Sequence, residues 1–283
     1  MRILLTGSQG MLGQDVIRVF GTAGHDVIAT DRDELDITDA AAVRRVVVSV
    51  KPDVIINAAA YNLVDKVEDP EVYPLAYAIN ALGPGNLAVA AQGIGALMVH
   101  YSTDYVFAGD KPEGYVEDDA PAPLSKYGET KLAGEEAVRA AGGRYYVCRT
   151  SKLFGIPGVG ENAKESFVAL MLRLAKMKPE LSIVDDEVGC PTYTRDLAAA
   201  TLRLIDTHSP PGTYHLVNSG PPVTWYAFAE EIFALAGVTT PRKPVPSEAF
   251  PRLARLPKFA ALRNTKTDPL PSRAQALRYF LGV

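Results

Sequence analysis

The first half of the chain alternates short apolar runs with longer stretches in which apolar residues recur at helical spacing. The apolar runs are rich in Val and Ile, as expected for strands that helices cover on both faces. They predict strands at residues 2–6, 26–30, 53–57, 97–102 and 145–149, and helices at 11–21, 40–50, 73–92 and 124–141. Strand-helix alternation of this kind predicts an α/β fold with a doubly wound parallel sheet of the Rossmann type.

The pattern loosens after Arg149. A Gly-Ile-Pro-Gly turn at 155–158 precedes predicted helices at 163–176, 194–207 and 224–236, with strands at 181–184 and 213–217. Thr224 is the predicted N-cap of its helix. The Pro- and Arg-rich stretch 241–271 predicts a largely irregular segment. We therefore expect a first domain over about 1–150 and a smaller, partly interleaved C-terminal lobe over 151–283.

Composition narrows the class of protein. The 283 residues are 47% hydrophobic and 22% charged, which is typical of a globular chain. A net charge of -4 argues against a nucleic-acid-binding protein. No apolar run approaches the roughly 18 residues of a membrane span, and the apolar start at 1–5 is too short for a signal peptide, so a cytoplasmic protein is expected. Cys148 and Cys190 lie in apolar surroundings, which predicts free buried thiols.

A glycine-rich stretch follows the first predicted strand directly. Its sequence from residue 6 to residue 13 is TGSQGMLG, with Gly7, Gly10 and Gly13 between a strand and a helix. Glycines allow a tight turn and a close approach of the backbone to a pyrophosphate, which the helix N-terminus then attracts. The first domain is therefore predicted to bind a dinucleotide. The predicted contacts are Gly7, Gln9, Gly10, Met11, Leu12 and Gly13.

The ends of the next two strands extend this prediction. Asp31 can accept hydrogen bonds from the adenosine ribose, which favours NAD, whereas Arg32 can hold a 2′-phosphate, which favours NADP. Both cofactors, NADH and NADPH, therefore stay open. Asp36 and Ile37 are placed near the adenine ring, and the small residues after the third strand leave room for the cofactor to cross the sheet edge. Those residues are Ala58, Ala59 and Ala60.

Three side chains form the candidate catalytic set. Tyr127 and Lys131 lie four residues apart, on one face of a predicted helix, and Thr103 follows the fourth strand. Reducing a ketone with hydride generates an alkoxide that needs a proton, and tyrosine can give it when an ammonium group stabilises the phenolate. Thr103 can hold the substrate oxygen. We predict Tyr127 as the acid and Lys131 as its partner, with both also contacting the cofactor.

With these motifs the sequence resembles the dTDP-4-dehydrorhamnose reductase family of extended short-chain dehydrogenases. The stretches that carry the resemblance are NAAAYNLVDKVE (57–68), HYSTDYVFAG (100–109), YGETKLAGE (127–135), CRTSKLFG (148–155), VDDEVGCPT (184–192) and GTYHLVNSG (212–220). The resemblance implies reduction of the 4-keto group of a dTDP-4-keto-6-deoxy sugar, namely dTDP-4-dehydro-L-rhamnose, by NADPH or NADH. It also implies that Asp104 and Tyr105 line the sugar site.

The sequence departs from the family pattern in the predicted substrate pocket. Lys152 stands where the family has a tryptophan that contacts the sugar, Asn62 replaces a threonine, and Leu256 replaces an arginine. Lys152 is thus a candidate substrate contact, and another nucleotide sugar stays open as the substrate. A further alternative is a non-catalytic dinucleotide-binding subunit similar to the regulatory subunit of methionine adenosyltransferase. Retention of Thr103, Tyr127 and Lys131 favours an enzyme.

Other polar residues are expected to be structural. The four histidines show no metal-ligand spacing, and no acidic set matches the metal site of some family members, so no metal is predicted. The acidic stretch 185–187 predicts a solvated loop or a hydrogen-bonded loop near the substrate. Trp225 is predicted to anchor the core. The oligomeric state is left open, with a homodimer as one candidate.

Overall fold

The computed structural model describes residues 1–160 and 163–283. Its strands are β1 (Arg2–Thr6), β2 (Asp26–Thr30), β3 (Val54–Asn57), β4 (Leu97–Thr103), β5 (Tyr145–Thr150), β6 (Leu153–Phe154), β7 (Leu181–Val184), β8 (Val188–Gly189), β9 (Thr192–Tyr193), β10 (Gly212–His215), β11 (Asn218–Ser219), β12 (Val223–Thr224), β13 (Arg242–Val245) and β14 (Leu270–Ser272). Its helices are α1 (Met11–Thr22), α2 (Ala40–Val50), α3 (Tyr73–Tyr77), α4 (Gly83–Ile94), α5 (Lys126–Ala140), α6 (Phe167–Met177), α7 (Thr194–Asp206), α8 (Trp225–Ala236) and α9 (Arg273–Leu281).

In the described part of the chain, six of these strands form the main sheet. Their order is β10-β5-β4-β3-β1-β2, and every neighbouring pair is parallel. Parallel pairing brings the C-terminal ends of β1, β3 and β4 to one edge, where ligands bind in open α/β sheets. The predicted Rossmann-type sheet is confirmed.

Helices cover both faces of the main sheet. One face packs against α1 and α7 through a core that includes Val16, Phe20 and Leu197. The other face packs against α2, α4 and α5, with Val47 and Leu87 fully buried. Because apolar side chains are buried on both faces, the strands read as continuous hydrophobic runs in the sequence.

The second half contributes to two regions of the fold. Its strand β10 returns to the main sheet beside β5, while α6, α8 and α9 pack around their own apolar cluster. That cluster is rich in aromatic side chains, including Phe154, Phe228 and Phe233. Thr224 caps α8 as predicted, because its hydroxyl accepts from the Ala227 amide at 3.0 Å.

Several predicted boundaries were wrong. The helix predicted at 163–176 begins at Phe167, where the Ser166 hydroxyl caps it. The helix predicted at 73–92 contains a π-helical turn, Ala78–Leu82, between α3 and α4. The stretch 241–271 is largely irregular, as predicted, and also contains β13, which pairs with β7. Both cysteines are buried and free, as predicted.

Candidate active site

The glycine-rich turn between β1 and α1 is sterically restricted. Gly7 has a φ of +72°, and a Cβ there would lie 2.4 Å from the Ala59 amide nitrogen. A Cβ on Gly13 would lie 2.3 Å from the Gly7 carbonyl oxygen. Both distances are too short for any side chain, so this turn can form against β3 only with glycine at these positions.

The start of α1 fits an anionic ligand. Gly10 is its N-cap and is exposed, and within the described residues no side chain caps the helix. The first main-chain bond of the helix comes from the Gln14 amide to the Gly10 oxygen. The amides of Met11 and Leu12 therefore point out of the helix end, where a pyrophosphate can accept from them.

Asp31 contacts the glycine-rich turn directly. Its Oδ2 accepts from the Gln9 amide at 3.0 Å, and its Oδ1 accepts from the Arg32 amide at 2.9 Å. The carboxylate is therefore fixed beside the turn at the end of β2, where a ribose would follow a pyrophosphate. Arg32 is exposed at the same edge. The structure thus brings together both predicted determinants of cofactor preference.

The residues predicted near the adenine ring differ in exposure. Ile37 is buried against Gly83, and its carbonyl oxygen accepts from the Asn86 side chain at 2.9 Å. Asp36 is exposed, and the Thr38 hydroxyl donates to it at 2.7 Å, which lowers its pKa. Past β3, Ala58 and Ala59 are half-buried and Ala60 is exposed.

A segment that sequence reasoning missed covers the glycine-rich turn. The Val159 amide donates to the Gln9 carbonyl oxygen at 2.8 Å. A Cβ on Gly158 would lie 2.2 Å from the same oxygen. The Gly-Ile-Pro-Gly signal predicted a turn here, but nothing in the local sequence indicated which part of the fold it would contact.

Thr103 and Asp104 meet where β4 ends. The Thr103 hydroxyl donates to Asp104 Oδ1 at 3.0 Å and accepts from the Tyr105 amide at 3.2 Å. Asp104 is buried and also accepts from the Ser151 hydroxyl at 2.6 Å. Burial raises the Asp104 pKa to about 6, against the opposing effect of the bonds from Ser151 and Thr103. Sequence reasoning missed Ser151, although it lies within the CRTSKLFG stretch.

Tyr127 lies on the first turn of α5, opposite the end of β4. Its ring meets the Tyr105 ring edge-on, with centroids 6.0 Å apart. Burial raises the Tyr127 pKa, the nearby Asp104 carboxylate raises it further, and the Thr103 hydroxyl opposes both. The phenol is therefore protonated at neutral pH. The structure brings Thr103, Asp104, Tyr105 and Tyr127 together, as the sequence predicts.

Lys131 lies one turn further along α5 and is buried. Its Nζ donates to the Tyr101 carbonyl oxygen at 2.7 Å. Burial lowers its pKa to about 8, and the Glu135 carboxylate opposes that shift. Its Nζ also lies 3.5 Å from His100 Nε2, although the sequence predicted a structural role for that histidine.

Lys152 lies near Asp104, between β5 and β6. It has a φ of +46°, and its Nζ donates to the Glu187 carbonyl oxygen at 2.9 Å. The same Nζ lies 3.7 Å from the Trp225 ring centroid. Burial lowers the Lys152 pKa to about 8, and Asp104 and Glu187 oppose that shift.

Glu187 connects this region to the C-terminal segment. Its carboxylate is buried, accepts from the Trp225 indole at 3.0 Å, and lies 3.5 Å from an Arg252 guanidinium nitrogen. The acidic stretch 185–187 is thus a hydrogen-bonded loop, one of the two predicted alternatives. Trp225 is half-buried and packs on Phe167, and its indole also takes part in this polar cluster. Sequence reasoning did not predict that Glu187 would contact Trp225 and Arg252.

Two further observations concern possible metal ligands and membrane-spanning helices. Over residues 1–160 and 163–283, no three His, Cys, Asp or Glu side chains come together as metal ligands would. Within the same ranges, no helix has both the length and the apolar character needed to cross a bilayer.

The parallel sheet, the glycine-rich turn and the tyrosine-lysine pair on α5 define a Rossmann-type short-chain reductase. The model of the RmlD substrate binding domain family matches residues 1–276. A dTDP-4-dehydrorhamnose reductase of Mycolicibacterium smegmatis is 42% identical over 269 residues, which cover 94% of this chain and 79% of that relative. The chain belongs to the dTDP-4-dehydrorhamnose reductase family, which confirms the resemblance seen in the sequence.

Solved structures agree with this assignment. The dTDP-4-dehydrorhamnose reductase of Clostridium acetobutylicum superposes with a TM-score of 0.93 at 42% identity, covering 100% of this chain and 99% of that chain. The enzyme of Bacillus anthracis, solved in complex with NADP, superposes with a TM-score of 0.91 at 38% identity, covering 99% and 98%.

Proposed function

We propose that this protein uses NADPH or NADH to reduce the 4-keto group of a dTDP-4-keto-6-deoxy sugar, converting dTDP-4-dehydro-L-rhamnose to dTDP-L-rhamnose. Family membership supports the class of reaction. The observation that carries the proposal is the grouping of Thr103, Tyr127 and Lys131 around the end of β4. This group lies at the same edge of the main sheet as the glycine-rich turn.

Each residue of this group has a proposed role. When bound, the nicotinamide supplies the hydride that adds to the keto carbon. Tyr127 gives its phenolic proton to the developing alkoxide, because burial keeps that phenol protonated at neutral pH. Lys131 stabilises the phenolate that remains, and Thr103 turns its hydroxyl hydrogen from Asp104 to the substrate oxygen.

We further propose which residues bind the ligands. The glycine-rich turn, Asp31, Arg32 and the small residues after β3 hold the dinucleotide. Asp104, Tyr105 and Lys152 line the sugar site, and residues 151–283 form the substrate-binding lobe. The buried cluster around Lys152 and Glu187 supports this division, since the residues it joins, including Arg252, all belong to 151–283. A homodimer and a cytoplasmic location stay predictions from the sequence.

The test follows the absorbance of the reduced cofactor with purified protein and the dTDP-linked 4-keto sugar. We expect oxidation of NADPH or NADH that depends on the sugar and yields dTDP-L-rhamnose. Tyr127→Phe should abolish turnover and spare cofactor binding, whereas Tyr77→Phe, at an exposed tyrosine on α3, should change neither. Cofactor binding without turnover of any keto sugar would contradict the proposal and favour the regulatory-subunit alternative.

A further inference from the structure

A chain of buried polar side chains runs behind Lys131. The Thr6 hydroxyl donates to Asn57 Oδ1 at 2.8 Å, and Asn57 Nδ2 lies 3.1 Å from His100 Nδ1. His100 Nε2 in turn faces Lys131 Nζ at 3.5 Å. Asn57 and His100 are fully buried, and Thr6 and Lys131 are nearly so. Neighbouring protein groups therefore determine where the protons of these hydrogen bonds lie.

The orientation of Asn57 follows from its main-chain neighbour. The Ala59 amide lies 3.1 Å from Asn57 Oδ1, and an N–H group can donate only to the oxygen end of that side chain. Asn57 Nδ2 must therefore point toward His100, and an amide nitrogen can only donate. His100 Nδ1 is then an acceptor without hydrogen, and the imidazole carries its proton on Nε2.

This arrangement sets two donors against each other. His100 presents Nε2–H to Lys131, and an ammonium group has hydrogens but no lone pair. The 3.5 Å separation is longer than the 2.7 Å bond from the same ammonium to the Tyr101 oxygen. When Lys131 loses its proton, the amine lone pair can accept from His100. The imidazole therefore favours the neutral amine over the ammonium.

The charged and titratable groups around Lys131 come from α5 and β4. Along α5, Glu135 raises the Lys131 pKa, but its carboxylate is bound by Arg149 and Arg139. From β4 comes His100, whose pKa is lowered well below its ordinary value by burial and by Lys131. One turn earlier on α5 lies Tyr127, whose pKa burial raises, so its phenol is uncharged near neutral pH. Behind His100 lie Asn57 from β3 and Thr6 from β1, neither of which titrates.

Gly134 makes the contact between His100 and α5 possible. A Cβ at this position would lie 2.1 Å from the Asn80 carbonyl oxygen and 3.4 Å from His100 Nε2. The helix can therefore pack close to the middle of β4, where His100 lies opposite Asn57 in the strand register. The polar chain is thus built into the packing of α5 on the sheet.

We propose that His100, held in one tautomer by Asn57, is a positioning residue that controls whether Lys131 carries its proton. The inference rests on the proposed function, in which Tyr127 loses a proton at each turnover. The Lys131 ammonium can pass a proton to the Tyr127 phenolate, and the neutral amine that remains can then take up a proton that comes from solvent. A permanently charged lysine would only stabilise the phenolate.

The first test measures the tautomer and needs no activity. Long-range ¹H–¹⁵N spectra of protein labelled in its histidines distinguish protonated from unprotonated ring nitrogens. The His100 signals are assigned by their loss in His100→Gln. We expect an unprotonated Nδ1 and a protonated Nε2 at neutral pH. A protonated Nδ1 would overturn the proposal, whatever reaction the protein catalyses.

The second test uses the pH profile of turnover. Lys131 has a pKa of about 8, so kcat of the wild type should fall as the pH rises through that value. This fall is the alkaline limb of the pH profile. His100→Met removes the N–H and keeps an apolar chain, and should move this alkaline limb upward by about one pH unit, a common size of shift in proteins. His100→Gln should shift it in the same direction, because its amide can turn its oxygen to Lys131.

A second variant on the same strand distinguishes an effect on the Lys131 proton from an effect on packing. Met98→Leu changes an apolar side chain two residues away on the same face of β4 and should leave the alkaline limb in place. If His100→Met lowers kcat equally at every pH with the limb unmoved, His100 only packs and the proposal is wrong. A wild type with no turnover, but with the expected tautomer, would refute the proposed function and leave the polar chain established.

Discussion

A Cβ atom on Gly128 would lie 2.4 Å from the carbonyl oxygen of Tyr105. Only a residue without a side chain therefore allows the first turn of α5 to contact the turn that follows β4. Ser125 fixes the start of this helix by accepting from the Gly128 amide at 3.1 Å. This close packing brings the Tyr127 ring against Tyr105 and places its hydroxyl beside Thr103.

We expect Gly128→Ala to impair catalysis more than binding. The added methyl group would push α5 away from Tyr105 and displace Tyr127, and a displacement of about 1 Å can lower a rate by about 100-fold. Steady-state kinetics should show that loss in kcat/KM with the cofactor Kd little changed. Gly93→Ala is the control, since α4 has open space there and the change should stabilise the fold by about 0.5–1 kcal/mol. An unchanged kcat/KM in Gly128→Ala would contradict the steric argument.

Asp31 and Arg32 should have opposite effects on cofactor preference. Asp31→Ala removes the carboxylate beside the Gln9 amide, and with it the repulsion of a 2′-phosphate. It should raise KM for NADH more than KM for NADPH. Arg32→Ala should raise KM for NADPH more, because a guanidinium is lost from the exposed edge. Parallel measurements with both cofactors check this, and equal changes in the two KM values would argue against a ribose contact.

Lys152 should act on the sugar rather than on the cofactor. Lys152→Met removes a cation that interacts with the Asp104 carboxylate and lies over the Trp225 ring. A hydrogen bond from a charged group is worth roughly 1.5–3 kcal/mol, so KM for the nucleotide sugar should rise at least about tenfold. The cofactor Kd should stay the same. Lys178→Met, at an exposed position after α6, is the matched control. A thermal destabilisation with an unchanged KM would assign Lys152 to the fold instead.

The buried pair Arg149 and Glu135 should govern stability in acid. Two hydrogen bonds of 2.9 Å and 2.7 Å join them, and both side chains are almost completely buried. Arg149→Met removes two of the hydrogen bonds to the buried Glu135 carboxylate and leaves it only the half-exposed Arg139 as an ionic partner. It should cost about 3 kcal/mol in the free energy of unfolding, measured by urea denaturation. The double variant Arg149→Met/Glu135→Leu should recover much of that loss.

The same pair predicts a pH dependence. Burial raises the Glu135 pKa, but the bonds from Arg149 outweigh it and leave the pKa below its ordinary value of 4.5. A carboxyl group with a lowered folded pKa stabilises the protein fully above its unfolded pKa, and this stability is lost as pH falls through the folded pKa. The wild type should therefore lose stability relative to the double variant below about pH 4.5. The stability difference between the wild type and the double variant is measured down to pH 3, about 1.5 units lower. A constant difference over that range would contradict the predicted role of Glu135.

Local patterns in the sequence determined the main sheet and the core of the site. A strand covered on both faces must be apolar throughout, so β1, β4 and β5 could be read directly. The glycine-rich turn and the four-residue spacing of Tyr127 and Lys131 are also local, because each depends on one turn of backbone. The family resemblance then indicated which keto group such a site would reduce.

The tertiary structure decided the contacts between distant segments. Asn57 and His100 are 43 residues apart, and only the pairing of β3 with β4 shows that one fixes the tautomer of the other. The sequence placed His100 among scattered histidines. Likewise Glu187 and Trp225 are 38 residues apart, and nothing in either local sequence predicts their hydrogen bond.

The shortest strands also could not be predicted from local sequence. Strands β6, β8 and β9 have two residues each, so no period can be read from them. Helix α9 was not predicted, although Ser272 and Gln275 form a capping box at its start and their spacing can be read from the sequence. Local sequence determined the elements whose stability is local. Burial of polar groups between elements, which fixes the charge state of Lys131 and the surroundings of Lys152, depends on the whole fold.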